Sequence, residues 1–190
     1  MQTAERIVDA AEALMMTRGY NAFSYHDLAP IVGIKTASIH YHFKTKDALV
    51  LAVVERYVER IVTLQTQADA DSSLDAKDKL ELYFSALRAV ATAENRICLL
   101  GVLGAEINTL ADPVRVAVTA FYRGQEKWIT KVLSKGRREG TLEFKGPPGP
   151  LATMAFAAIE GALIVGRATG QVKTFDDTVK ALDRIVSVSS

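Results

Sequence analysis

Phe23-Ser24-Tyr25-His26-Asp27-Leu28-Ala29-Pro30-Ile31-Val32-Gly33-Ile34-Lys35-Thr36-Ala37-Ser38-Ile39-His40-Tyr41-His42-Phe43-Lys44-Thr45-Lys46 is the stretch that decides the fold of this chain. It reads as two short helices hinged at a glycine, the layout of a helix-turn-helix. Ser24 as N-cap with Asp27 three residues on has capping-box spacing, so each side chain can satisfy an amide orphaned in the first turn. Gly33 ends that helix. Leu28, Ala29, Val32, Ile39 and Phe43 recur at three- and four-residue spacings and can lock two crossed helices together. Thr36, Ala37, His40, Tyr41 and His42 are then left outside, a row of small, hydroxyl, imidazole and phenol groups that suits a groove lined with bases and phosphates. Pro30 lies inside the first helix, where it removes a backbone bond and crowds the preceding turn, so this helix is expected to be short or kinked.

These residues resemble the TetR family of bacterial transcriptional repressors. The resemblance extends to Arg6-Ile7-Val8-Asp9-Ala10-Ala11, to Gly19-Tyr20 and to the joint Tyr41-His42-Phe43-Lys44-Thr45-Lys46-Asp47-Ala48-Leu49, which is its most specific part. By motif position it implies DNA contacts from Thr36, Ala37, His40, Tyr41, His42 and Lys46, with Ser24 added at the start of the first motif helix. It also implies a homodimer on a palindromic double-stranded DNA operator, released by a small effector. No Arg or Asn at the motif is placed for bidentate reading of guanine or adenine, so the residues leave the operator sequence open.

The chain has 190 residues, enough for a small head on a larger body. Its net charge is only +1, without the basic excess usual in nucleic-acid binders. Phosphate attraction must then come from helix N-termini, hydroxyls and a few lysines such as Lys44 and Lys46. All three histidines, His26, His40 and His42, fall in the head. No uninterrupted apolar run approaches the roughly 18 residues needed to cross a membrane. The opening residues Met1 to Arg6 hold no signal-type apolar run, and Cys98 is the single cysteine, so no membrane partner, no internal disulfide and a soluble cytoplasmic protein are expected.

Helical periodicity runs through the chain without convincing strand alternation, which predicts an all-α fold; the resemblance implies its division into a three-helix head over residues 1–46 and a ligand-binding and dimerisation body over 47–190. Ile7, Ala11 and Leu14 should be the buried stripe of a first helix stopped by Gly19. A long helix is expected from Thr45, and another restarting at Ser72 with Asp75 and carrying Leu80, Phe84, Leu87 and Ala91. After a break at Asn95-Arg96, a short helix from Ile97 to about Asn108 is expected. Asp112-Pro113 opens the next. Gly146-Pro147-Pro148-Gly149-Pro150 reads as a loop with Pro150 as a candidate helix start. The helix from Leu151 to Gly170 is apolar and small on nearly every side and should be buried all round. Thr174 and Asp177 are read as the cap of a last helix.

Two long C-terminal helices, one rich in alanine and glycine, fit a subunit interface, with Ala158, Gly161, Ala162, Val165 and Leu182 as its residues; a plain central helix is the alternative. Tyr57, Phe84, Arg88, Phe121, Gln125 and Trp128, with Cys98, offer the aromatic walls and few polar groups of a small-molecule pocket, although each also suits ordinary core. Cys98, in an apolar context near Arg96, is either a buried small hydrophobe or a redox sensor. Glu160 needs a partner or a polar cavity. His40, Tyr41 and His42 point in different directions on a helix and no metal set is completed, so no metal or cofactor is expected. No phosphate loop, nucleophile elbow or paired carboxylate argues for an enzyme. The competing readings are a DNA-binding or helical interaction protein without an effector and, far behind, a carboxylate-based enzyme.

Overall fold

Orphaned amides and carbonyls at helix ends decide where each helix of this chain starts and stops. The computed structural model describes residues 2–93 and 96–187, which hold nine α-helices and no strand. Helix α1 (Thr3–Arg18) buries Ile7, Ala11 and Leu14 as the spacing predicts, and stops at Gly19. In α2 (Tyr25–Val32) the Asp27 carboxylate accepts the Ser24 N–H at 2.8 Å and the Ser24 hydroxyl at 2.7 Å. Gly33 closes α2 in the left-handed conformation, φ 75°, which glycine adopts without steric cost. Pro30 is accommodated because α2 has only eight residues, so a single i to i−4 bond is forgone. Helix α3 (Thr36–His42) follows, and α4 (Lys46–Ala70) begins where the Thr45 hydroxyl accepts the Ala48 N–H at 3.1 Å.

Several expected boundaries move. Helix α5 (Ala76–Thr92) is capped by Asp75 and Asp78, which exchange backbone bonds at 2.9 and 3.0 Å, and does not start at Ser72. The preceding turn is tied instead by Asp71, whose carboxylate takes the N–H and hydroxyl of Ser73. The break expected at Asn95-Arg96 lies partly outside the described residues. Helix α6 (Leu99–Ala105) is shorter than expected and passes into a 3-10 turn, Ile107–Thr109. Helix α7 is Asp112–Glu139. Helix α8 (Pro148–Thr169) begins two residues before Pro150, because Pro148 at the first helical position loses no bond. In α9 (Lys173–Val186), Thr174 and Asp177 lie inside the helix: the turn after Gly170 already feeds it, through Gln171 N–H to Gly166 O at 2.8 Å.

Helix α8 is not buried all round within the protomer. Ala152, Ala155, Phe156, Ile159 and Leu163 face inward, whereas Met154, Ile164 and Val165 are 45–49% exposed. By length and composition α8 is also apolar enough to cross a membrane, with a mean hydropathy of 1.5, although no uninterrupted apolar run announces it. Its Glu160 and its packing against α9 are those of a core helix.

The chain forms two compact units, and they do not divide at residue 46. One holds Met1–Arg60 with Asn95–Ala120, around a core of Ile7, Leu28, Ile39, Leu49, Leu99 and Leu103. The other holds Ile61–Glu94 with Phe121–Ser190, around Tyr83, Ile129, Leu133, Phe156, Ile159 and Phe175. The early turns of α4, all of α6 and the start of α7 therefore belong with the three head helices.

Candidate DNA interface and ligand-binding residues

Helix α3 spends one residue on the core: Ile39 is fully buried, the one buried residue of its seven. That anchor turns the rest outward. Ala37, Ser38, His40 and His42 are exposed, Thr36 is half-buried at the first turn, and Tyr41 is 76% exposed. A phenol left so far out presents both an apolar ring and a hydroxyl at the surface. Lys44 Nζ lies 5.8 Å from the Tyr41 ring centroid, which adds a cation at the same end. Ser24, by contrast, is engaged with Asp27, whose carboxyl is held below the usual range chiefly by the Ser24 hydroxyl.

A polar clamp that the sequence does not announce sets the pose of α3. Tyr25, buried, donates its hydroxyl towards Thr45 O at 2.6 Å and Phe43 O at 3.0 Å, tying the start of α2 to the joint after α3, and its ring meets His40 edge-on at 4.7 Å. Lys46 is turned inward. Its ammonium donates to Tyr20 O and Phe23 O, each at 2.6 Å, and sits 4.4 Å from both ring centroids. Burial lowers the Lys46 pKa, against the pull of the Glu106, Asp47 and Asp27 carboxylates. With two of three donors committed, Lys46 positions the α1–α2 turn, and Lys44 has the freer charge. Glu106 completes the clamp from the end of α6: it accepts Tyr20 N–H at 2.7 Å and Asn21 Nδ2 at 3.1 Å. Burial, then the hydrogen bond to Asp47 at 2.8 Å, pushes the Tyr20 phenol up to about 12; burial, then Asp47, does the same for Tyr25.

The expected pocket residues fall into three groups. In the first unit the Tyr57 hydroxyl and Cys98 Sγ are 3.6 Å apart and both buried, with the Arg60 guanidinium 5.2 Å from the Tyr57 ring. In the second unit α7 carries Phe121, Gln125 and Trp128 on one stripe. Gln125 Oε1 accepts from Gln65 Nε2 at 2.7 Å, an interior amide pair, and Trp128 packs 5.4 Å from Tyr83. The buried Trp128 Nε1–H has no acceptor among the described residues. Phe84 and Arg88 belong elsewhere in that unit, on a cleft between α5 and α9, where Arg88 holds Asp176 through two bonds of 2.7 and 3.1 Å. Gln65 and Tyr83 were not anticipated; a glutamine on an apolar helix stripe was their only signal. Among the described residues no cluster of His, Cys, Asp or Glu is arranged to hold a metal.

Of the expected interface residues, Ala158, Gly161 and Val165 reach the outer side of α8, and a Cβ at Gly161 would meet nothing within 4 Å. Ala162 and Leu182, expected at the interface, are each only 5% exposed and pack inside their own protomer. Met154 and Ile164 occupy the outer row instead.

Comparison with known proteins closes the question of family. Residues 7–53 match the profile of bacterial regulatory proteins of the tetR family, and residues 76–182 match the tetracyclin repressor-like C-terminal domain. A TetR-family transcriptional regulator from Agrobacterium tumefaciens superposes with a TM-score of 0.90 at 32% identity, over 97% of this chain and 98% of that one. A TetR transcriptional regulator from Legionella pneumophila does so with 0.88 at 31% identity, over 98% of both. The HTH-type transcriptional repressor DhaR of Mycobacterium sp. (strain GP1) is 22% identical over 160 residues, 84% of this chain and 80% of that protein. With a helix-turn-helix head whose recognition helix faces outward and a family match over most of its length, this chain belongs to the TetR family of bacterial regulatory proteins.

Proposed function

We propose that this chain is a cytoplasmic transcriptional repressor that binds a palindromic operator as a homodimer and leaves it when a small effector binds. The outward row of α3 carries the reading. Thr36, Ala37 and His40 sit where side chains reach base edges, and Tyr41, His42 and Lys44 lie towards the end that meets phosphates. Ser24 contributes by capping α2, and Lys46 by holding the head in shape. The row of exposed Met154, Ile164 and Val165 with half-buried Ala158 and Gly161 on α8 would pair with its copy in a second protomer and set two recognition helices about one DNA turn, roughly 34 Å, apart. The repressor role of DhaR agrees with this.

For the effector, the stripe Phe121, Gln125 and Trp128 with Gln65 is favoured, because a buried indole N–H without an acceptor is a donor that a ligand oxygen could satisfy. Tyr57 on α4, a helix continuous from Lys46 to Ala70, and Cys98 at the start of α6 form a second set. A ligand acts through α4 only by its preference for one position of that helix; a 100-fold loss of operator affinity needs about 2.7 kcal/mol of such preference.

The test is electrophoretic mobility of DNA taken from beside the chain's own gene, against scrambled DNA. Tyr41→Ala and His42→Ala should abolish retardation with helicity and sedimentation unchanged. Undiminished affinity in both would remove α3 from the DNA. Gly161→Leu should yield monomers in sedimentation, and an intact dimer would place the interface away from α8.

A further inference from the structure

The interior Gln125–Trp128 stripe is not the only place in the second unit fit for a small molecule. Between α5 and α9, closed at the back by α7 and the start of α8, lies a cleft of about 250 Å³ walled by Leu80, Phe84, Leu133, Leu151 and Val179. A second hollow of about 310 Å³ adjoins it towards Arg88 and shares Phe84, Val179, Glu81 and Lys180 with it. At roughly 30 Å³ per water-sized group, the apolar cleft has room for a chain of about eight methylenes. Most of the surface lining it is apolar.

The charges around the rim are mostly spoken for. Lys77 lies 3.3 Å from Asp183 and 3.9 Å from Glu81, and Arg88 is bound twice to Asp176. Lys180 lines both hollows and, among the described residues, makes no ion pair within 4 Å; its influence on Asp176 acts over a longer distance. Ser85 lines the same adjoining hollow. Apolar walls beside a lysine without an ion pair, with a serine in the adjoining hollow, suit an alkyl chain ending in an anion. Glu81, the remaining carboxylate, is drawn to Lys77 and away from that role.

We propose that the cleft between α5 and α9 binds a medium-chain carboxylate, its chain between Leu80, Phe84, Leu133, Leu151 and Val179 and its carboxylate on the Lys180 ammonium. The site stands apart from the proposed effector stripe on α7, which is built from other residues of the unit. Bound there, the chain would bridge α5 to α9, so occupancy stabilises the second unit against unfolding.

Calorimetric titration of the full chain with decanoate, below its micellar concentration, tests this. One equivalent should bind, with the dissociation constant rising about tenfold for octanoate and about tenfold again for hexanoate, as burial of each methylene dictates. Lys180→Met should weaken decanoate at least tenfold while leaving operator retardation and helicity unchanged, and Val179→Trp should block the chain. Decyltrimethylammonium, with the same tail and the opposite charge, should bind at least tenfold more weakly than decanoate. The proposal is overturned if decanoate does not bind, if many equivalents bind without saturation, or if the ammonium compound binds as well. It is equally overturned if Lys180→Met binds normally and Trp128→Phe does not, which would move the ligand to the α7 stripe.

Discussion

The two units solve the problem of holding helices in place by different physics. In the first, the geometry of α3 is fixed by directed bonds. The Tyr25 hydroxyl, the Lys46 ammonium and the Glu106 carboxylate each grip backbone groups of the turns between helices. In the second, α8 packs through Ala152, Ala155 and Ala162 alongside Phe156, Ile159 and Leu163, and the directed bonds, such as Gln65–Gln125 and Arg88–Asp176, join side chains of other helices instead of gripping turns. Directed bonds tolerate only one register, which suits a head that must present side chains to a fixed groove. Small-residue packing sets closeness without demanding direction, and it leaves room nearby for cavities and for an unused outer face.

The largest break in this comparison should come from glycines of the second unit. A Cβ at Gly136 on α7 would lie 2.6 Å from both Ala76 Cβ and Leu142 Cδ1, so Gly136→Ala should cost about 2 kcal/mol in urea unfolding. Gly161→Ala, where nothing stands within 4 Å, should cost nothing and gain up to about 1 kcal/mol from helix propensity. If the two variants unfold alike, close packing is not what holds this unit.

Next in size is the loss of one directed bond in the head. Tyr25→Phe keeps the ring and removes the hydroxyl from Thr45 O and Phe43 O, which should lower stability by about 1 kcal/mol and weaken operator binding without altering its salt dependence. Those residues also show what the sequence could and could not reveal. Ser24, Asp27 and Gly33 are local signals, legible because caps and left-handed turns act over three or four residues. Tyr25 follows the cap as one more aromatic, and its partners lie 18 and 20 residues away, fixed only once α2 and α3 have crossed.

The lysines sharpen the contrast further. Lys46→Met should reduce operator affinity equally at every salt concentration, because its ammonium is occupied with Tyr20 O and Phe23 O. Lys44→Met should reduce the slope of log affinity against log salt by about 0.9, the signature of one lost phosphate contact. A slope change in Lys46→Met and none in Lys44→Met would exchange the roles of the two side chains.

The remaining effect is confined to alkaline solution. The phenols of Tyr20 and Tyr25 titrate near 10 when unfolded and at about 12 in the folded head, so the folded state binds their protons more tightly. Their contribution to stability is therefore complete below pH 10 and is lost as the pH rises from 10 to 12. Ultraviolet titration should show late phenolate ionisation, reduced in Tyr20→Phe and in Tyr25→Phe, together with a fall in helicity. Ionisation of all six tyrosines near pH 10, with helicity intact, would mean that the clamp is open to water.

What the sequence determined by itself was everything set by short range: the all-α character from apolar periodicity, the helix-turn-helix from a cap and a hinge glycine, and the family from the motif that follows. It also marked α8 as unusual, from a run of alanine and glycine that no surface helix needs. Tertiary structure decided which face each of these residues shows. It turned Lys46 inward, took Ala162 and Leu182 into the protomer's own core, and separated the expected pocket into a Tyr57–Cys98 pair, an α7 stripe and an α5–α9 cleft. The reason is that helical period fixes which residues share a stripe, whereas the partner of that stripe depends on the crossing of helices far apart in the chain.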